Sequence, residues 1–361
     1  MAKTMHVNVP CRIKAIGVGG GGCNALNRMV RARIQGVEFI AANTDVQALM
    51  MNEAPTRIQL GEKATGGLGS GGDPVKGRRA AEESREELRE ILDGAHMVFI
   101  AAGMGGGTGT GACPVIAEIA KESGALTIGI VTRPFGFEGV RRQQVANEGI
   151  GQLMAKVSSV IAIPNERLLS IAEDRETVDN AFRMADDVLM TGVRALSEVI
   201  TSPGLINLDF ADVKSIMNDG GPAWLSIGHS TGRDRTVEAA RSAIASPLLE
   251  ASIDGAKGIL YVFTGAANLT LSEVSQAAEV IKQAVDPEAN VIFGVTLDPS
   301  MDSEVRITLI ATGFTSPKAI EATRRDEEFR HIIRALDETS LGKPAFMRRP
   351  LSLRHRISGG S

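Results

Sequence analysis

Residues 105–111 read Gly-Gly-Gly-Thr-Gly-Thr-Gly. They sit between the apolar run HMVFIAAG (96–103) and an apolar-periodic stretch that opens at Ala112. The order is therefore strand, bare backbone, helix. Backbone N–H groups at a helix N-terminus form a cradle for anions. Thr108 and Thr110 add two hydroxyl donors to that cradle. The combination suits a phosphate tail of several charges. No GxxxxGK[ST] occurs, so the loop is not of the Walker type.

Two more glycine clusters lie outward from this one. Gly17-Val-Gly-Gly-Gly-Gly22 follows the apolar run RIKAIGV (12–18) and precedes a helical pattern over 24–34. It also satisfies GxGxxG through Gly17, Gly19 and Gly22, a weak dinucleotide signature when alone. The third cluster spans Gly61–Gly72. Glycine at such density allows positive φ or close backbone approach. Two cradles at one end of a sheet suit a ligand with two or three phosphates. The middle cluster then reads as a loop beside the terminal phosphate, with Ser70, Gly71 and Gly72 placed to sense its presence.

Strand patterns at 12–18, 37–42, 96–102, 125–132 and 158–163 alternate with helical ones at 24–34, 78–92 and 113–121. That alternation predicts a parallel sheet covered on both faces, with ligands at the C-terminal strand ends. A helix of about 25 residues is expected over 177–201, stopped by Ser202-Pro203-Gly204. Further strands at 223–229, 258–264, 291–297 and 305–312, with helices at 235–244 and 272–285, give a second α/β unit.

Composition excludes several classes. The 361 residues are 43% hydrophobic, which is globular rather than disordered. No apolar run is long enough for a transmembrane helix, and the N-terminus lacks a signal-peptide pattern. Cys11, Cys23 and Cys113 have no CxxC spacing, which fits reduced cytosolic thiols. The five histidines are scattered and predict no metal centre of their own. Net charge is −4, but the basic excess gathers in 343–361, where no acid occurs. An acidic body argues against a nucleic-acid groove.

GGGTGTG, together with GVGGGGCN (17–24), NTD (43–45), GLGSGGDP (67–74), TRPFGFEG (132–139), AFRMADDVL (181–189) and SPGLINLDFADVK (202–214), resembles the tubulin/FtsZ superfamily, in particular its bacterial division branch. The resemblance runs to about residue 316. It implies a Rossmann-type GTP-binding domain (1–176), a central helix (177–201) and a C-terminal activating domain (202–316). A short charged linker (317–342) and a basic partner-binding peptide (343–361) follow.

By this resemblance, Gly19, Gly20, Gly21, Gly22 and Cys23 hold phosphate, as do Gly105, Gly106, Gly107, Thr108, Gly109 and Thr110. Asn43, Asp45, Gly71, Gly72 and Pro134 join the nucleotide site, and Glu138 and Arg142 lie at the ribose. Asn24, Phe182 and Asp186 read the guanine. Residue chemistry supports the last set: a carboxylate accepts from guanine N1–H and N2–H2 together, and a phenyl ring stacks on a base. Taken alone, Phe182 also suits core packing, and Asp186 an exposed helix face.

Asn207, Asp209 and Asp212 are implied to act on the GTP of the adjacent subunit. Their spacing alone also fits N-cap chemistry. GTP hydrolysis to GDP, with Mg²⁺ carried by the nucleotide, would then occur in a head-to-tail homopolymer. The resemblance further implies a ring at mid-cell beneath the inner face of the membrane. Pro344, Ala345, Phe346, Met347, Arg348 and Arg349 would dock membrane tethers and regulators. Two other readings stand beside it. One is a tubulin-like filament for DNA segregation. The other is an NAD-dependent oxidoreductase, resting on GxGxxG and Asp45.

Overall fold

A computed structural model describes residues 11–169, 177–201, 206, 209–218, 221–249, 253 and 255–314. Asn207, the stop signal at 202–204 and the tail peptide 343–361 lie outside the described residues. The strands are β1 Ile13–Val18, β2 Val37–Asn43, β3 Thr56–Gln59, β4 Met97–Gly103, β5 Leu126–Arg133 and β6 Ser159–Pro164. They continue with β7 Gly221–Ser230, β8 Gly258–Gly265, β9 Asn290–Leu297 and β10 Val305–Thr312. The helices are α1 Gly19–Arg31, α2 Val46–Met50, α3 Glu62–Thr65, α4 Pro74–Glu83, α5 Arg85–Leu92 and α6 Thr108–Glu122. After them come α7 Val140–Met154, α8 Asn165–Leu169, α9 Val178–Thr201, α10 Phe210–Met217, α11 Arg235–Ile244 and α12 Leu271–Gln283.

The ten strands form one sheet in the order β3-β2-β1-β4-β5-β6-β7-β10-β8-β9. From β3 to β7 every pairing is parallel. Alternation explains why the strand sequences read as continuous apolar runs. Met97, Phe99 and Ala101 of β4 enter one core layer, with residues of α1 and α9. Val98, Ile100 and Ala102 enter the opposite layer, with residues of α4 to α7. A strand buried on both faces has no polar side. Phe99 alone, fully buried, contributes about 2–3 kcal/mol by burial.

β7 joins the two halves. Its first three residues pair in parallel with β6, and its length pairs antiparallel with β10. The second unit, expected as plain α/β, therefore carries an antiparallel strand between β7 and β8. It has its own core under α11 and α12. Residues 78–92, which read as one helix, divide at Ser84 into α4 and α5. Buried Lys14, an oddity in an apolar strand, donates to the carbonyls of Ile91 (2.6 Å) and Asp93 (3.3 Å). It thus satisfies open carbonyls at the end of α5.

Candidate nucleotide site

Parallel strands place their C-terminal ends on one edge of the sheet, and a cleft of about 280 Å³ opens there. It is lined by the starts of α1, α6, α7 and α8, by the loops after β4 and β5, by Ser70 before α4 and by α9. Both glycine clusters run into helices instead of stopping short of them: α1 already starts at Gly19, and α6 at Thr108, after Gly105–Gly107. The reason is space. A Cβ on Gly22 would lie 2.2 Å from the Ala101 carbonyl oxygen, so only glycine lets α1 lie this close to β4. By contrast, a Cβ on Gly20 or Gly106 would meet nothing within 4 Å, because both border the cleft. The first cluster thus contains packing glycines and cleft-lining glycines side by side.

Of the residues named from the sequence, Gly20, Gly21, Gly106, Gly107, Thr108, Gly109, Pro134, Glu138, Arg142, Phe182 and Asp186 line the cleft together. Others brace it from behind. The Thr110 hydroxyl accepts from Gly105 N–H at 2.9 Å and shapes the turn. Asn43 Oδ1 accepts from Thr44 N–H at 2.8 Å, and the Asp45 carboxylate caps α2 through Ala48 N–H. Cys23 is buried away from the cleft, with Sγ 3.4 Å from the Gly17 carbonyl oxygen. Burial pushes its thiol up to about 12, so it stays protonated and only its backbone can serve an anion. Gly19 and Gly22 are buried, whereas Asn24, Gly71 and Gly72 are exposed.

Glu138 is committed on both oxygens. Oε1 accepts from Phe135 N–H at 2.9 Å, and Oε2 receives Arg142 Nη1 at 2.6 Å. The pair is held in one geometry at the mouth of the cleft. Phe182 is 41% exposed, with its ring edge-on to Phe135 at 5.3 Å. Phe135 in turn stacks on Phe137.

The two adjacent aspartates of α9 separate by partner. Asp187 takes Arg28 of α1 in a bidentate pair, both bonds 2.7 Å. Asp186 lines the cleft and has no such partner among the described residues. Its carboxyl is pushed up to about 7 by burial, opposed by Arg28 and reinforced by Asp187. A desolvated carboxylate without donors is a group prepared for a ligand that brings them.

Sequence reasoning missed Asn165, Thr132, Met104 and Leu189 in the lining. Asn165 is the informative one: it is buried, and its Oδ1 has no hydrogen-bond partner among the described residues. A polar residue directly after a strand's C-terminal end was the available signal.

Asp209 and Asp212 are elsewhere. Asp209 caps α10 by accepting from Asp212 N–H at 2.8 Å, while Asp212 reaches back to Asp209 N–H at 3.2 Å. This is a capping box, so the N-cap reading of their spacing is realised. Phe210, between them, packs against His96, which precedes β4. Thr201 at the far end of α9 contacts Gln35 and Gly36, which precede β2. Both contacts lie at the N-terminal strand edge. The α9 helix begins at the cleft and spans 24 residues, about 36 Å at 1.5 Å per residue. The acidic pair and the cleft thus occupy opposite edges of the sheet.

Among the described residues, no group of three His, Cys, Asp or Glu side chains could hold a metal ion, and no helix is long and apolar enough to cross a membrane. A doubly covered parallel sheet with glycine cradles at its C-terminal edge, and an unpaired carboxylate facing them, defines a phosphate- and base-reading nucleotide-binding protein. The profile of the Tubulin/FtsZ family, GTPase domain, matches residues 12–173, and that of the FtsZ family, C-terminal domain, matches 221–315. The chain belongs to the tubulin/FtsZ family and is a GTP hydrolase of its self-assembling FtsZ branch. An empty FtsZ dimer from M. jannaschii is 43% identical, covers 86% of this chain and 90% of its own, and superposes with a TM-score of 0.83. A point variant of FtsZ from the same organism matches at 43% identity over 84% and 92% of the two chains, TM-score 0.82. CetZ2 from Haloferax volcanii, solved as a protofilament with GTPγS, shares the fold at 19% identity over 90% and 99%, TM-score 0.75. The family sets aside the oxidoreductase reading; the GxGxxG glycines Gly17, Gly19 and Gly22 are buried at close backbone approaches.

Proposed function

We propose that the chain assembles head to tail into protofilaments of a cell-division ring and hydrolyses GTP at the junction between subunits. The observation that carries this is the separation of the cleft from the Asp209–Asp212 pair. A binding site at one edge and carboxylates at the other complete each other only when one molecule stacks on the next. Such a contact is heterologous and extends into a filament.

GTP fits the cleft by its chemistry. The open cradle at Gly20 and Gly106 accepts phosphate against backbone N–H groups and the start of α6. Asp186 accepts from the guanine donors, and Asn165 Oδ1 gains the partner it lacks. Phe182 offers its exposed face to the base, and Arg142 offers its remaining N–H groups beside the ribose. The neighbour's Asp209 and Asp212 keep free lone pairs beyond the capping bonds, enough to orient a water for in-line attack. Mg²⁺ carried by the nucleotide would neutralise charge in that transfer.

Residues 343–349 (KPAFMRR) then act as a hook for membrane tethers and regulators, and the ring lies in the cytoplasm beneath the membrane. The domain limits 1–176, 177–201 and 202–316 describe the functional division of a continuous sheet. Sedimentation tests the assembly: pelletable polymer should form with GTP and be lost with GDP. Removal of 343–361 should leave that assembly intact. Absence of GTP-dependent polymer would overturn the proposal.

A further inference from the structure

Three hydroxyls from three loops meet behind the phosphate cradle. Thr108 Oγ1 lies 2.6 Å from Thr44 Oγ1 and 2.9 Å from Ser70 Oγ. All three residues are buried, and Thr108 and Ser70 border the cleft. Thr44 follows β2, Ser70 belongs to the glycine-rich segment before α4, and Thr108 opens α6. Gly107 makes the approach possible, since a Cβ there would fall 2.3 Å from Ser70 Oγ. The same segment is tied to Thr44 through its backbone, by Gly69 N–H to the Thr44 carbonyl at 3.2 Å.

A hydroxyl has one hydrogen and two lone pairs. Three hydroxyls joined by two bonds use two hydrogens and leave one over. Among the described residues, neither Thr44 Oγ1 nor Ser70 Oγ has another hydrogen-bond partner. If both donate to Thr108, its lone pairs are filled and its own hydrogen is driven into the cleft. An anion in the cleft selects this ordering, because it accepts that hydrogen. Any other ordering turns a lone pair towards the anion.

We infer that Thr44 and Ser70 are positioning residues that aim the Thr108 hydroxyl at a nucleotide phosphate, forming a relay that couples phosphate occupancy to the segment carrying Ser70. The inference rests on the reading of the cleft as the GTP site. Thr44 lies outside the cleft lining and acts through Thr108; Ser70 borders the cleft, and its loss being non-additive with that of Thr44 distinguishes action through Thr108 from a direct contact, which additive losses would mark instead. Loss of either one frees a lone pair on Thr108 and lets its hydrogen leave the cleft. A free hydroxyl has three staggered positions, so this ordering is worth about threefold in affinity, and polarisation along the chain adds to it. The effect should not be additive, because one broken link already removes the constraint.

The test measures equilibrium dissociation constants of GDP and guanosine, by competition against a fluorescent GDP analogue, in dilute protein without Mg²⁺. The proteins are the unaltered chain, Ser70→Ala, Thr44→Val, Thr44→Ser and the Ser70→Ala/Thr44→Val pair. Expected are a GDP affinity lowered about three- to tenfold in both single variants, little further loss in the double variant, and full retention in Thr44→Ser. Guanosine affinity should not move. Equal losses for GDP and guanosine, or loss in Thr44→Ser, would mark a packing defect and overturn the relay. Unchanged GDP affinity in Ser70→Ala and Thr44→Val would also overturn it while leaving the site intact. Failure of the unaltered chain to bind GDP would instead refute the site itself.

Discussion

Lowering the pH should weaken GTP binding through Asp186. In the free protein burial raises its carboxyl to about 7. Guanine N1–H and N2–H2 stabilise the ionised form, so in the complex the value falls. The bound state therefore holds fewer protons than the free one, and affinity drops as pH falls through 7. At a value of about 7, roughly ten in eleven carboxyls are ionised at about pH 8 and roughly one in eleven at about pH 6. Affinity should fall about tenfold across that range, equivalent to about 1.4 kcal/mol. The terminal phosphate also titrates near pH 6, so the readout is a ratio. GTP dissociation constants at several pH values are compared between the unaltered chain and Asp186→Asn, which cannot titrate. The variant should bind more weakly at pH 8 and lack the Asp186 component of the slope. Parallel profiles for the two proteins would refute the assignment of Asp186 to the base.

Two other predictions separate roles that the sequence blends. Gly22→Ala forces β4 and α1 apart, and should cost about 1–3 kcal/mol of stability as an overpacked core site, followed by the fluorescence of Trp224. Gly20→Ala has room for its methyl and should leave the melting temperature unchanged while weakening GTP binding; equal melting losses would contradict the division. Asp212→Ala should bind GTP with unaltered affinity yet lose turnover. Mixed one to one with the unaltered protein, it should leave the rate per intact molecule unchanged, because each intact Asp212 serves the GTP of whichever neighbour it meets, and labelled GTP loaded on the variant should now be hydrolysed. Survival of that labelled GTP in the mixture would place catalysis within one chain.

Much of this architecture was legible as pattern. Strand limits agree within one or two residues because buried parallel strands leave an unbroken apolar run, as in MVFIAAG of β4. The pattern did not reveal where helices begin. Glycine has poor helix propensity, so the clusters read as loops, whereas close approach to β4 and α4 places Gly19–Gly22 and Thr108–Gly111 inside helices. The α7 helix, β3 and the break at Ser84 also went unread. The site was legible where motif residues point into the cleft, as with Thr108 and Phe182. It was not legible where the outcome depends on distant partners. Nothing in AFRMADDVL says that Asp187 belongs to Arg28, 159 positions away, while Asp186 lines the cleft. Nor does it show that Asn165 completes the lining.

The central claim is that each active site is shared between two molecules. The specific GTPase rate, measured per molecule over a wide range of protein concentration, tests it most directly. A site completed by a neighbour predicts a rate that vanishes on dilution below the assembly threshold and rises to a plateau above it. A rate per molecule that stays constant down to the highest dilution would contradict the account.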